Sequence, residues 1–265
     1  MNGQELTADK EINWWIILPG QEMLSIDKDI QDKQVLIYPK FQLGLRQQKM
    51  QDDFLHKGLR KKLVDEIRSK GIQNQDILDA IGKVPRHLFM ESSFVRFSYA
   101  DKAFPIGAGQ TISQPFTVAF QTQLLKVSRY DKILEIGTGS GYQAAILLEL
   151  GATVYTIERQ RELYLKAQSF LPSLGYKAYF FFGDGYLGIP SYAPFDKILI
   201  TAAIPEIPEV LLRQLKPGGL LVAPEGEGSV QNMILIEKIS DQEFRKTSHG
   251  SFAFVPMLPG KENGL

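Results

Sequence analysis

The 265-residue chain has no cysteine. That single absence removes disulfides, thiolate nucleophiles and cysteine-based metal sites together. Histidine is scarce too. His56, His87 and His249 lie far apart in sequence with no paired ligand spacing, so each reads as a surface or core residue and no metal is expected. Basic and acidic side chains balance at 30 each, leaving no net field to draw the protein onto nucleic acid or an anionic membrane. No stretch approaches the roughly 18 apolar residues that span a bilayer. The most apolar early stretch, residues 12–18 with Trp14 and Trp15, also lacks the basic start and small-residue cleavage site of a secretory signal. The expectation is a cytoplasmic protein, a monomer, with neither nucleic acid nor membrane as partner.

What is present is organised around Ile133-Leu134-Glu135-Ile136-Gly137-Thr138-Gly139-Ser140-Gly141-Tyr142. A strand-length apolar run ends in an acid, three glycines come next at alternate positions, and an apolar helical stretch starts where they stop. Glycine lets a ligand lie against bare backbone. The helix start adds unpaired N–H groups and a partial positive charge. Downstream the pattern alternates between strand and helix. Strands are expected at 132–136, 153–158, 178–182, 195–201, 219–224, 231–239 and 244–254, and helices at 142–150, 160–171 and 206–215. The last two strands have no helix between them. A doubly wound, mostly parallel α/β sheet of seven strands with an antiparallel C-terminal pair is therefore expected.

Ahead of this core the periodicity is helical. Leu59, Leu63 and Ile67 mark one face of a helix ending at Gly71, Asn74 caps a second, and residues 84–89 form a short third. Residues 99–114 read as a long loop, a length more often functional than idle, and Pro115 suits the first turn of the helix after it. Residues 1–49 show short apolar bursts and no sustained period. They are expected to be an N-terminal extension: disordered, the result of a start assigned ahead of Met50, or a small appendage with a hairpin at Val35-Leu36-Ile37-Tyr38. The domain proper then covers 50–265, with a helical and substrate-loop region at 50–131 and the sheet at 132–265.

Spacing narrows the ligand. The dinucleotide fingerprint is G-x-G-x-x-G, whereas this loop reads Gly137-x-Gly139-x-Gly141, led by Glu135 and without a Walker lysine. About 20 residues on, Val154-Tyr155-Thr156-Ile157-Glu158 ends a second strand in a carboxylate, where this architecture meets a ribose diol. A third strand ends in Phe182-Gly183-Asp184-Gly185, and Asp184 is placed to accept from an adenine amino group. Carboxylates sit badly beside a pyrophosphate. They suit a phosphate-free cofactor with a positive centre, S-adenosylmethionine.

Residues 135–142, Glu158, Gly183-Asp184-Gly185 and Leu215-Lys216-Pro217-Gly218-Gly219 resemble, in order, the motifs of class I S-adenosylmethionine-dependent methyltransferases, whose core sheet is Rossmann-like. More narrowly, the chain resembles the protein-L-isoaspartate O-methyltransferase family from about residue 52 to 259. The distinguishing stretches are Val84-Pro85-Arg86-His87-Leu88-Phe89, Gly109-Gln110-Thr111-Ile112-Ser113-Gln114-Pro115, Thr201-Ala202-Ala203 with the segment to Pro208, and Phe254-Val255-Pro256. The resemblance implies methyl transfer to the free α-carboxylate of isoaspartyl residues in damaged proteins and peptides, with S-adenosyl-L-homocysteine as product. The resulting ester closes to a succinimide, whose hydrolysis returns some normal aspartate.

By the same resemblance Ser113 holds the acceptor carboxylate, and Ile112, Gln114 and Val255 clamp the peptide main chain. Glu135, Gly137, Thr138, Gly139, Gly141, Glu158, Arg159, Gly183, Asp184, Gly185 and Thr201 form the cofactor site. Within it Glu135 orders the glycine turn and faces the amino end of the cofactor, Thr201 lies beside the methionyl arm, and Tyr142 packs near it. Three competing readings are a methyltransferase for another carboxylate or a small molecule, a non-catalytic ligand- or peptide-binding module, and a nicotinamide oxidoreductase. Read locally, Ser113 is a helix cap before Pro115, and Phe180-Phe181-Phe182 is a buried strand run.

Overall fold

The computed structural model describes residues 52–262, so the expected extension at 1–49 and its hairpin lie outside the described residues. Two capped helices come first. In α1 (Phe54–Ser69) the Asp53 carboxylate accepts from His56 N at 2.8 Å, and in α2 (Gln75–Lys83) Asn74 accepts from Ile77 N at 3.3 Å. Gly71 comes just after α1 with φ of 104°, the left-handed position at which glycine ends a helix without a Cβ clash. Single 3₁₀ turns at Arg86–Phe89 and Ser92–Phe97 lead into an antiparallel hairpin, β1 (Phe104–Gly107) and β2 (Gln110–Ile112). The sequence predicts only a loop there, because strands of four and three residues are too short to carry an alternating pattern. α3 (Pro115–Leu125) then starts on its proline.

The remainder is one seven-stranded sheet with helices between its first strands. In chain order it comprises β3 (Lys132–Ile136), α4 (Tyr142–Glu149), β4 (Thr153–Glu158), α5 (Arg161–Ser173), β5 (Tyr179–Phe182), β6 (Phe195–Ile200), α6 (Glu209–Arg213), β7 (Leu215–Glu225), β8 (Gln231–Lys238) and β9 (Phe244–Phe252). Across the sheet the order is β5-β4-β3-β6-β7-β8-β9. The strands from β5 to β7 run parallel; β8 is antiparallel to β7, and β9 to β8. This is the expected mostly parallel sheet with its antiparallel end.

Successive residues of β3 serve opposite faces: Ile133 joins the core under α1–α5, and Leu134 joins the core under α6. A strand buried on both faces reads as an unbroken apolar run, and each such side chain contributes about 1.5–3 kcal/mol.

Two local expectations change. The helix expected at 206–215 is only Glu209–Arg213, because Pro208 holds extended backbone ahead of it and β7 already begins at Leu215. Phe180, Phe181 and Phe182 are half-buried rather than buried, because β5 is an edge strand. Strand order places the site. From β3 the chain winds one way to β4 and β5, then returns to β6 on the other side of β3, so the loops after β3 and β6 diverge and leave a crevice at the carboxyl ends.

Candidate active site

The glycine loop is held open by its own backbone. Gly137, Gly139 and Gly141 have φ of 97°, 53° and 84°, values that L-residues with a Cβ rarely take. A Cβ on Gly137 would stand 2.5 Å from Thr201 Oγ1, and one on Gly141 2.2 Å from Leu171 Cδ1. Thr201, first after β6, closes the far side: its hydroxyl lies 2.7 Å from Gly137 O and 3.0 Å from Ile136 O, donating across the crevice.

Two carboxyls support the loop differently. Glu158, at the end of β4, accepts from Gly139 N at 2.9 Å and Gln160 N at 2.8 Å while lining the crevice. Burial raises its pKa against the lowering effect of those backbone donors. Glu135 points the other way. It is fully buried, its Oε2 meets Thr156 Oγ1 at 2.5 Å, and Thr156 in turn meets Thr138 of the loop at 2.6 Å. Desolvation pushes this carboxyl up to about 8, so it is neutral at pH 7. Glu135 thus reaches the glycine turn through a Thr–Thr relay and is absent from the lining of the crevice.

The crevice beyond Glu158 encloses about 450 Å³ when space open to solvent is counted. Its walls are Ile136, Ile157, Ala202 and, from the C-terminal segment, Met257 and Leu258, with Arg159 and Gly185 at its rim. That segment is tied down as a strap. Asp184 accepts from Tyr186 N at 2.9 Å and from Gly260 N at 2.7 Å, Tyr186 Oη donates to Met257 O at 3.1 Å, and Arg159 donates to Gly260 O at 3.3 Å. Both Asp184 oxygens hold backbone donors. The side chain thereby fastens the strap, whose chain returns here from 76 residues away.

A second opening lies on the other side of Thr201. A groove of about 940 Å³ runs between the turn after β2 and the chain leaving β9, lined by Ser113, Gln114, Phe116, Thr201, Phe254 and Val255 among others. A smaller cavity of about 320 Å³ joins Ile112 and Ser113 to Gly137, Thr138 and Gly139. Ser113 belongs to both. Among the described residues its hydroxyl makes no hydrogen bond, and the first N–H of α3 to need a cap, Phe116 N, is taken by Asp101 Oδ1 at 2.7 Å. The local reading of Ser113 as a helix cap is therefore replaced.

Beneath the turn lies Arg86, fully buried, donating to Ser113 O at 2.8 Å with its guanidinium 4.7 Å from the centre of the Tyr142 ring. Desolvation lowers its pKa to about 10, which leaves it cationic at pH 7. Tyr142 is packed under this cation and against Phe89 at 5.5 Å, with one edge at the small cavity.

The sequence-predicted residues therefore sort by position. Gly137, Glu158, Arg159 and Gly185 line the crevice, Ile112, Ser113, Thr138, Gly139 and Thr201 meet at the small cavity, and Gln114 and Val255 line the groove. Gly141, Gly183, Glu135 and Asp184 stand behind these surfaces as supports; a Cβ on Gly183 would meet Ile157 Cδ1 at 2.8 Å. Sequence reasoning missed Met257, Leu258, Arg86 and Asp101. The first two are ordinary apolar residues near the end of a chain and carry no signal. Arg86 lies inside a family motif, but nothing local gives it a role.

A glycine turn opening a helix at the carboxyl end of the first strand, a carboxylate ending the second, and this strand order define a class I S-adenosylmethionine-dependent methyltransferase. Residues 58–262 match the family profile for protein-L-isoaspartate(D-aspartate) O-methyltransferase, and the chain belongs to that family. It is 57% identical over 213 residues, 80% of this chain and all of the relative, to a protein-L-isoaspartate O-methyltransferase of Christiangramia forsetii. A relative of the same name in Dictyoglomus thermophilum is 47% identical over 77% of this chain and 92% of its own. Among solved structures, a protein-L-isoaspartate O-methyltransferase superposes with a TM-score of 0.67 at 27% identity, covering 74% of this chain and 65% of that one. A Plasmodium falciparum protein, solved in complex with S-adenosyl-L-homocysteine, shares the fold with a TM-score of 0.65 at 22% identity over 75% of this chain and 98% of its own.

Proposed function

We propose that this chain methylates the free α-carboxylate of L-isoaspartyl residues in damaged proteins and peptides, using S-adenosyl-L-methionine. The observation that carries the reading is the position of Ser113, whose unspent hydroxyl faces both the small cavity at the glycine loop and the large groove. One residue can thus touch a cofactor side and a peptide side at once.

The crevice fits an adenosyl group. Ile157, Met257 and Leu258 offer apolar walls to a flat base, and Glu158 can accept from the ribose hydroxyls. Gly137 and Gly139 let the chain beyond the ribose lie close to backbone, with Thr201 beside it. When bound, S-adenosyl-L-methionine supplies a methyl group activated by a sulfonium. The acceptor, an α-carboxyl of ordinary pKa near 3.5, arrives at neutral pH as an anion, so no side chain has to remove a proton. Ser113 donates one hydrogen bond to a carboxylate oxygen and so orients it. Ile112, Gln114 and Val255 hold the peptide backbone, a mode indifferent to most side chains. The strap and the walls of the groove keep water from the reacting atoms. Orientation of this kind is worth on the order of 7–11 kcal/mol in favourable cases.

A transfer assay with labelled cofactor and two peptides differing only in Asp or isoAsp at one site tests the proposal. Label is expected on the isoAsp peptide alone; equal labelling, or label on neither, would overturn it.

A further inference from the structure

Two buried charges of opposite sign grip the turn that carries Ser113. Arg86 holds the turn through the Ser113 carbonyl and reaches Lys102 O at 3.4 Å. Asp101 holds the residues just past Ser113. Its side chain is only 2% exposed and gathers three donors: Phe116 N on Oδ1 at 2.7 Å, and Gln114 Nε2 at 2.9 Å and Lys70 Nζ at 2.6 Å on Oδ2. The two oxygens have separate duties. Oδ1 caps α3, whose own N-cap residue, Gln114, makes no side-chain cap. Oδ2 does nothing for the helix. It fixes Gln114, the neighbour of Ser113 on the groove wall, and ties it to the last turn of α1 through Lys70.

We infer that Asp101 is a positioning residue for methyl transfer: its Oδ2 sets where the Ser113 hydroxyl stands relative to the crevice, as Arg86 does from the other side. Only the Oδ1 cap serves the helix, whereas the Oδ2 contacts reach the groove wall beside Ser113. The inference rests on the reading of Ser113 as the group that meets the acceptor carboxylate.

The two duties can be separated because Asn keeps an oxygen for Phe116 N but turns Oδ2 into a donor, which repels Gln114 Nε2 and Lys70. Asp101→Asn is expected to melt lower, because a buried carboxylate loses its pairing with Lys70, and to keep its S-adenosyl-L-homocysteine affinity close to wild type. Its kcat on an isoAsp peptide should fall about tenfold or more, since small misplacements of a reacting group have effects of that size. Lys70→Ala, which removes one partner of Oδ2 and leaves the cap untouched, should shift kcat in the same direction and serves if the Asn variant does not fold. Combining Asp101→Asn with Ser113→Ala separates the inference from the reading beneath it. If Asp101 acts through Ser113, the second change should reduce kcat by less than about twofold on the Ser113→Ala background. Unaltered kcat in Asp101→Asn, a parallel loss of S-adenosyl-L-homocysteine affinity, or full additivity in the double variant would each overturn the inference. Wild-type turnover by Ser113→Ala alone would instead overturn the acceptor reading.

Discussion

The two sides of the site are built by different means. The cofactor side is one contiguous loop, residues 135–141, whose shape is set by three left-handed glycines and by a backbone N–H capped from Glu158 next door. The acceptor side is a turn whose own residues do little to hold it; Arg86, Asp101 and Lys70 arrive from elsewhere in the chain. Polar contacts continue beneath it. Arg60 pairs with Asp52 at 2.8 Å and donates to Tyr99 Oη at 3.0 Å, which also meets His87 Nδ1 at 2.8 Å, and the His87 ring stacks on His56 at 3.9 Å. Backbone geometry makes a rigid cradle that tolerates almost no added atom. A clamp of buried charges makes a surface whose position depends on each partner being present.

That contrast can be broken at several points. Gly141→Ala should have the largest effect, because left-handed strain and a 2.2 Å clash with Leu171 together amount to about 2–5 kcal/mol. A thermal melt should show a marked loss of stability, and a wild-type melt would mean the cradle yields more easily than its geometry implies. Ser113→Ala is expected to lower kcat by about 10²-fold through lost orientation while leaving S-adenosyl-L-homocysteine binding intact. A matched loss of cofactor affinity would blur the two sides into one. Glu158→Ala should do the reverse. The hydrogen bonds to ribose proposed for it, about 1.5–3 kcal/mol for a charged partner, predict at least tenfold weaker S-adenosyl-L-homocysteine binding by calorimetry.

In pH dependence the halves should oppose each other. Glu135, on the cofactor side, has its pKa raised by burial from 4.5 to about 8. The folded state keeps a proton that the unfolded chain releases, so stability falls as pH rises between those values. His87, on the acceptor side, is lowered from 6.5 to about 4 by burial and by the neighbouring His56. Here the unfolded chain takes up the proton first, so stability falls as pH drops through that window. Melting curves from pH 4 to 8 should therefore bend downward at both ends. Glu135→Gln should remove the alkaline decline alone; parallel curves for the two proteins would show that Glu135 is not neutral in the fold.

The parallel strands were legible because burial on both faces leaves unbroken apolar runs such as Ile133-Leu134, and β3 and β4 fall where they were expected. Asn74 and Pro115 announced their helices through local capping chemistry. The hairpin at Phe104–Ile112 was not legible, since strands of four and three residues have no period to read. Glu135 was legible as an acid beside the loop, while its direction was not: side-chain alternation along β3 sends it inward, toward Thr156 on the neighbouring strand.

What the chain alone determined is whatever depends on near neighbours: the glycine turn, the acids that end the strands, the caps and the order of elements. Local sterics and periodicity act over a few residues, and the order of amino acids records them directly. Only the tertiary structure decided which carboxyl faces the crevice and which lies beneath the loop, that Asp184 fastens a strap, and that Asp101 rather than Ser113 caps α3. Those outcomes depend on groups meeting across 15 to 76 positions, where burial and donor geometry choose the partner.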